Sequence, residues 1–189
     1  MIAVASQSGL WACGGGPSVA SGRQGGLSMA DMKRIDVVFE GIGRTTGKMR
    51  NDIHVDWPAQ GESFDLATDE GPFHGGDGTA PPPLALFTAA LTGCLMTQIR
   101  AFAKRLKIEI GEVEVRARLH WYCEAAPGEP YVSHPVGFDL DVDLDSPASL
   151  DDRMRLLDAA KKGCFLEQTL SQGLTVGHRL RDGEDWIDA

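Results

Sequence analysis

Apolar and polar positions alternate with period two over several stretches of this chain and follow a helical period over others. Ile35, Val37 and Phe39 alternate with Asp36, Val38 and Glu40, which predicts a strand. Ile53, Val55 and Trp57 form a second alternating run, stopped by Pro58, and Phe64 with Leu66 marks a short third. Gly41, Gly43 and Gly47 punctuate the first turn region, so these strands read as an antiparallel meander. Residues 71–83, GPFHGGDGTAPPP, form a stiff loop that neither a helix nor a central strand can accommodate.

The loop feeds residues 84–108, a helix by length and residue type, with Pro83 suited to its first turn. No charge occurs from Leu84 to Met96, so this half is expected to be enclosed, either in a core or between subunits. The second half turns amphipathic, with Ile99, Phe102 and Leu106 inside and Arg100, Lys104 and Arg105 outside. Residues 112–123 alternate again, as do Val136, Phe138, Leu140, Val142 and Leu144 against Asp139, Asp141 and Asp143. That acidic row reads as a solvated strand face. Ser149 can cap a second helix with an inner stripe of Leu150, Met154, Leu157 and Ala160. Gly163 interrupts it, Cys164 opens another helical segment, Gly173 ends that, and Leu174, Val176 and His178 predict a closing strand. The order of elements is that of an α+β domain spanning residues 33–189. Residues 1–32 read as a poorly ordered tail, rich in Gly and Ser over the first 28 and without apolar periodicity.

Charge narrows the partners. The 189 residues carry 18 Lys and Arg against 27 Asp and Glu, a formal net charge of −9. The first 28 contribute only Arg23, which leaves −10 on the remainder. Such a body repels phosphate backbones and anionic lipid, so neither nucleic acid nor a membrane surface is an expected partner. No apolar run is expected to reach the roughly 20 residues that span a bilayer.

The cysteines are Cys13, Cys94, Cys123 and Cys164. None stands at zinc-finger spacing and the chain is not Cys-dense, so neither a structural metal nor a disulfide-stapled secreted scaffold is expected. A reduced, cytoplasmic protein fits best, in which a Cys is either inert packing or a reactive thiol. Cys94 lies in the apolar helix, after the loop that holds His74, and Cys164 follows Gly163 where a helix begins. Backbone N–H groups at a helix N-terminus favour a thiolate. Two such thiols can close a disulfide if their Cα atoms lie within about 6 Å. One would then take oxygen from a peroxide and the other would resolve the sulfenic acid. Packing is the expected role of Cys123.

The run of motifs resembles the osmotically inducible protein C and organic hydroperoxide resistance family (OsmC/Ohr). The matching pieces are Gly75-Gly76-Asp77-Gly78-Thr79, Pro83, Leu86-Phe87, Ala89-Ala90-Leu91-Thr92-Gly93-Cys94 and Gly163-Cys164, over roughly residues 33–180. The resemblance implies antiparallel sheets wrapped around central helices in an intertwined homodimer. It also implies reduction of organic hydroperoxides, with Cys94 as peroxidatic and Cys164 as resolving thiol. No cofactor is implied, only an external dithiol or lipoylated reductant. An apolar pocket beside Cys94 would suit an alkyl or fatty acid hydroperoxide through burial of its tail.

Two positions depart from the family pattern. Leu84 follows Pro83 where active members carry Glu, and His74 stands where many carry Arg, nine residues before that Pro. The family's Arg and Glu hold the peroxidatic thiolate and activate the peroxide; Leu84 cannot do the latter's work. An unperturbed His is mostly neutral at pH 7 and replaces Arg only in part. Arg44 and Arg50, from the N-terminal hairpin, are the other candidate cations, which puts efficiency in question. Two further readings follow from the same residues. One is an OsmC-like module that binds an apolar ligand without turnover. The other is a Cys–His hydrolase using Cys94 and His74.

Overall fold

A computed structural model describes residues 33–189. The tail expected at 1–32, with Cys13, lies outside the described residues. Three antiparallel strands come first: β1 Glu40–Thr45, β2 Asn51–Trp57 and β3 Glu62–Thr68. The meander was legible, but its first strand starts later than the alternation at Ile35 suggests. Glu40 pairs with Asp56 at one end of β2, and β2 itself stops at Trp57 before the Pro58 turn. Residues 33–39 are not paired in a strand, and alternation alone does not make one. Phe39 instead stacks on Trp57, with ring centroids 5.0 Å apart.

The helix α1 runs Pro83–Leu106, 24 residues, with Pro82 as its N-cap. Leu91, Leu95, Ile99 and Ala103 form its buried stripe at the i, i+4 spacing of one helix face. Its charges fall where the amphipathic pattern puts them, with Arg100, Lys104 and Arg105 exposed. Enclosure of its first half holds on one face only. Leu84, Ala85, Ala89, Ala90 and Gly93 are exposed in the single chain. The expectation that no stretch reaches bilayer-spanning length also needs correcting, since α1 is long and apolar enough by length and composition. Its buried stripe packs on α2 and β4, the behaviour of a core helix.

The hairpin of β4 Val113–Glu124 and β5 Val132–Leu144 covers one side of α1. Phe87 of α1 meets Trp121 and Phe138 edge-on, each at 6.1 Å, and those two rings lie 4.8 Å apart. On the outer face Arg118 stands opposite Asp139 and Arg116 opposite Asp141, so the acidic row is one side of a solvated cross-strand charge ladder. Val136, expected to point inward, is 55% exposed. The pairing jumps from His120 with Gly137 to Trp121 with Pro135, which leaves Val136 as the extra residue of a β-bulge beside a proline.

Helix α2, Leu150–Gly163, is capped by Ser149, whose hydroxyl accepts from the Asp152 N–H at 3.2 Å. Its inner stripe differs from the expected one. Leu156 and Ala160 are fully buried and Leu157 is half-buried, while Leu150 and Met154 are exposed. The cause is Gly163. A Cβ there would lie 2.5 Å from the Phe102 ring, so the small residues Ala160 and Gly163 turn toward α1 and carry Leu156 in with them. Helix α3, Phe165–Gln172, ends at Gly173 with φ 57°, as the glycine predicts. The closing strand does not form at Leu174–His178. Those residues are irregular and exposed, and the chain ends in a hairpin of β6 Arg179–Asp182 and β7 Asp185–Asp188, turning at Gly183. Three helices and antiparallel sheets thus make a mixed fold whose core lies between α1, α2, α3 and the β4–β5 hairpin.

Candidate redox site

Cys164 belongs to both helices that flank it. It is the C-cap of α2 and the N-cap of α3, with extended backbone at φ −75° and ψ 109°. Its N–H donates to the Lys161 carbonyl at 3.3 Å, and its carbonyl accepts from the Gln168 N–H at 2.9 Å, the first bond of α3. This kink points the side chain at α1, where it is fully buried. There it comes within hydrogen-bonding reach of the Cys94 thiol. Cys94 is half-buried, and neither sulfur is in a disulfide. The two residues the sequence singled out, 70 positions apart, are therefore neighbours.

Burial pushes the Cys164 thiol up to about 11, because the charged form loses solvation. The Glu167 N–H at the third position of α3 opposes this. It approaches the sulfur and favours the thiolate, although its geometry stops short of a formed cap hydrogen bond. Helix-end stabilisation of a Cys164 thiolate is thus present, as the position suggested, but desolvation outweighs it.

The Gly/Pro loop ahead of α1 is held by Asp69. This buried carboxylate accepts from the Thr79 N–H at 2.9 Å, the Thr79 hydroxyl at 2.8 Å and the Glu70 N–H at 2.9 Å. Those bonds hold its carboxyl below the usual range, with Thr79 the main cause. Gly76 packs so close to the Glu70 carbonyl that no Cβ fits. Arg50 joins this network rather than the thiols. It donates to the Thr79 hydroxyl at 2.9 Å and pairs with Asp52 at 2.9 Å. His74 lies on the same loop, its Nδ1 3.2 Å from the Glu70 carboxylate. Arg44 stands opposite Asp52 on β1 and lines an open groove with Arg50, His54 and Asp65. Among the described residues, none of Arg44, Arg50 and His74 forms a hydrogen bond or ion pair with Cys94 or Cys164. Leu84, which follows Pro83 at the start of α1, is 54% exposed.

An open cavity of about 450 Å³ lies between α1, β5, α2 and α3, and neither Cys94 nor Cys164 lines it. Leu91, Leu95, Phe138 and Leu140 give it apolar walls, and Lys161 and Glu167 are its charged groups. Cys94 lies on the same helix between Leu91 and Leu95 without lining it. Sequence reasoning missed Glu167 and Asp69. Glu167 had a signal, an acidic residue three positions after a helix-opening Cys. Asp69 had none, being one carboxylate among many before a loop.

The OsmC-like protein family model matches residues 76–179, more than half of the chain, which spans the second part of the loop, both thiols and all three helices. The chain belongs to the OsmC-like family. It is 50% identical to an OsmC-like hydroperoxide resistance protein from Jannaschia sp. CCS1, over 81% of this chain and 98% of that one, with a TM-score of 0.57. It also shares its fold with an OsmC-like protein from Mycoplasma pneumoniae at 16% identity and a TM-score of 0.54, over 74% of this chain and 89% of that one. No curated protein matches the chain.

Proposed function

We propose that this protein is a thiol peroxidase that reduces organic hydroperoxides in the cytoplasm, with Cys94 as the peroxidatic and Cys164 as the resolving thiol. The observation that carries this is the meeting of the two reduced thiols across α1 and α3. The peroxidatic sulfur attacks the distal peroxide oxygen, the O–O bond breaks and an alcohol leaves. Cys164 then displaces the sulfenic oxygen as water and forms a disulfide. An external dithiol or lipoylated reductant restores both thiols. The 50% identical Jannaschia protein, described as a hydroperoxide resistance protein, favours the same reading. So do the apolar walls that Leu91, Leu95, Phe138 and Leu140 give the cavity between α1, β5, α2 and α3, which suit an alkyl or fatty acid tail.

We also propose that it works as a homodimer. The exposed face of α1 around Ala85, Ala89, Ala90 and Gly93 offers small residues for close helix contact. Phe64 and Leu66 are left exposed on the first sheet, apolar surface that a partner would cover. A partner could bring Arg44, Arg50 or His74 to the thiols. The test is consumption of cumene hydroperoxide with dithiothreitol, comparing the native chain with Cys94→Ser and Cys164→Ser. Loss of turnover in both is expected; unchanged activity in Cys94→Ser overturns the mechanism.

A second reading, an apolar-ligand module without turnover, has Leu84 in its favour. A co-purifying fatty acid with no peroxide consumption would support it. The Cys–His hydrolase has less support, since His74 is paired with Glu70.

A further inference from the structure

The cavity between α1, β5, α2 and α3 has a neighbour. A second one, of about 170 Å³, shares Val142 and Leu157 with it and continues toward the start of α2. The two make one furrow between α1, β5 and α2. Leu91, Leu95 and Ile99 line it along α1, a span of about 12 Å at the rise of a helix. Along β5 it runs from Phe138 to Leu144, about 20 Å at the rise of a strand. Leu150 and Met154, exposed on α2, carry the apolar lining out to the surface at the far end. An alkyl chain laid along such walls gains about 25 cal/mol per Å² buried.

One cation interrupts this lining, Arg153 in the second cavity. The chain carries 27 Asp and Glu against 18 Lys and Arg, so carboxylates are plentiful for its cations. Arg155 pairs with Asp152 at 2.9 Å and Arg116 with Glu114 at 2.8 Å. Arg153 forms no ion pair among the described residues, and its Nε is buried without a hydrogen-bond partner. Asp152, next to it in the chain, is committed to Arg155 and to the Ser149 hydroxyl. Asp143 is the other charged residue of the second cavity. It is exposed and alternates with Val142 and Leu144, which places it on the outer face of β5 opposite Glu114. A buried guanidinium N–H without an acceptor is costly, and an anionic acceptor removes that cost. The flat edge of a guanidinium suits the two oxygens of a carboxylate. At the other end of the furrow the charge of Lys161 is offset by Glu167, whose carboxylate repels a second anion. Charge therefore sets the direction of an amphiphilic guest, with its acidic end at Arg153.

We propose that this furrow binds a fatty carboxylate, its head group on the Arg153 guanidinium and its tail running past Val142 and Leu157 toward Phe138. The inference goes beyond the peroxidase reading and needs neither thiol, since neither Cys94 nor Cys164 lines either cavity.

The test is calorimetric titration of the full reduced chain with decanoate and, separately, with decanol, which has the same tail and no charge. Decanoate should bind about 10- to 100-fold more tightly than decanol, the worth of a charge-assisted hydrogen bond. Arg153→Gln should bring the two ligands to similar affinity by weakening decanoate alone, and Arg153→Lys should restore part of the preference. Equal binding of decanoate and decanol by the native chain overturns the proposal, whatever the variants do. So does an Arg153→Gln chain that keeps the native preference, or a native chain that binds neither ligand. Sedimentation with and without decanoate covers the remaining occupant. A dimer that excludes decanoate, with binding recovered only on dissociation, gives the furrow to a second copy and overturns the proposal as well. Peroxide consumption plays no part in these readouts. A chain that binds decanoate through Arg153 without turnover sinks the peroxidase reading and leaves this one standing, and a chain with turnover that ignores the head group does the reverse.

Discussion

The Cys164 side chain is fully buried at the junction of α2 and α3 and meets the half-buried Cys94 of α1. One thiol of the pair is sheltered and the other is reachable. That asymmetry suits a pair in which an outside oxidant meets Cys94 first.

The first prediction concerns thiol reactivity. Near neutral pH a small alkylating reagent should modify exposed Cys123 and half-buried Cys94 well before Cys164. The Cys164 rate should climb with pH toward its value of about 11. The same shift has a stability consequence. Its folded value lies above the ordinary 9.0, so the stability it contributes is present below that ordinary value. It is lost as pH rises through the folded value. Mass spectrometry of the alkylated peptides and thermal melts across alkaline pH check both, and equal labelling of the three thiols would contradict the assigned burial.

Gly163 should tolerate no larger side chain. A Cβ 2.5 Å from the Phe102 ring forces α2 away from α1, and Cys164 is the next residue. Gly163→Val should lose about 1–3 kcal/mol of stability. It should also slow peroxide-driven disulfide formation more than Cys94 oxidation. Denaturant unfolding and non-reducing gels read the two effects. A variant as stable as the native chain would mean that the contact relaxes freely.

Leu156 is fully buried where α2 crosses α1. Leu156→Ala should cost about 2–5 kcal/mol. Met154→Ala, on the exposed side of the same helix, should cost far less. Urea titrations of the two variants rank them, and the opposite order would restore the stripe read from the sequence.

Asp69 ties the loop ahead of α1 to Thr79 as a carboxylate. Its folded pKa is lowered, so its contribution to stability is present above the ordinary 3.8 and lost as pH falls through the folded value. Asp69→Asn puts an amide where three donors already point, and should lower the melting temperature at neutral pH while flattening its fall in acid. Melting curves from neutral to acid pH test this; parallel curves for the two chains would remove the role of the charge.

His54 sits between Asp65, at 2.7 Å, and Asp56, at 3.4 Å, on the exposed β2–β3 surface. Its pKa is raised, chiefly by the Asp65 hydrogen bond, so the favourable pairing is present below the ordinary His value and lost as pH rises through the folded one. Asp65→Asn should move the His54 ring titration, followed by NMR, to lower pH. An unmoved midpoint would show that Asp65 is not its partner.

Periodicity, end signals and motif order were determined by the sequence itself. They gave the meander, α1, the β4–β5 hairpin, the Ser149 cap, the break at Gly163 and the two thiols, because each depends on neighbours within a few residues. Tertiary structure decided the rest. It withheld a strand from Ile35–Phe39, since alternation becomes a strand only where backbone pairing forms. It turned α2 to bury Leu156 rather than Met154, since Gly163 had to meet Phe102. It tied Arg50 and His74 to the loop ahead of α1, and it brought Cys164 to Cys94. Which side chains meet depends on how helices pack over long separations in the chain, and the spacing of Cys94 from Cys164 along the sequence carries no such distance.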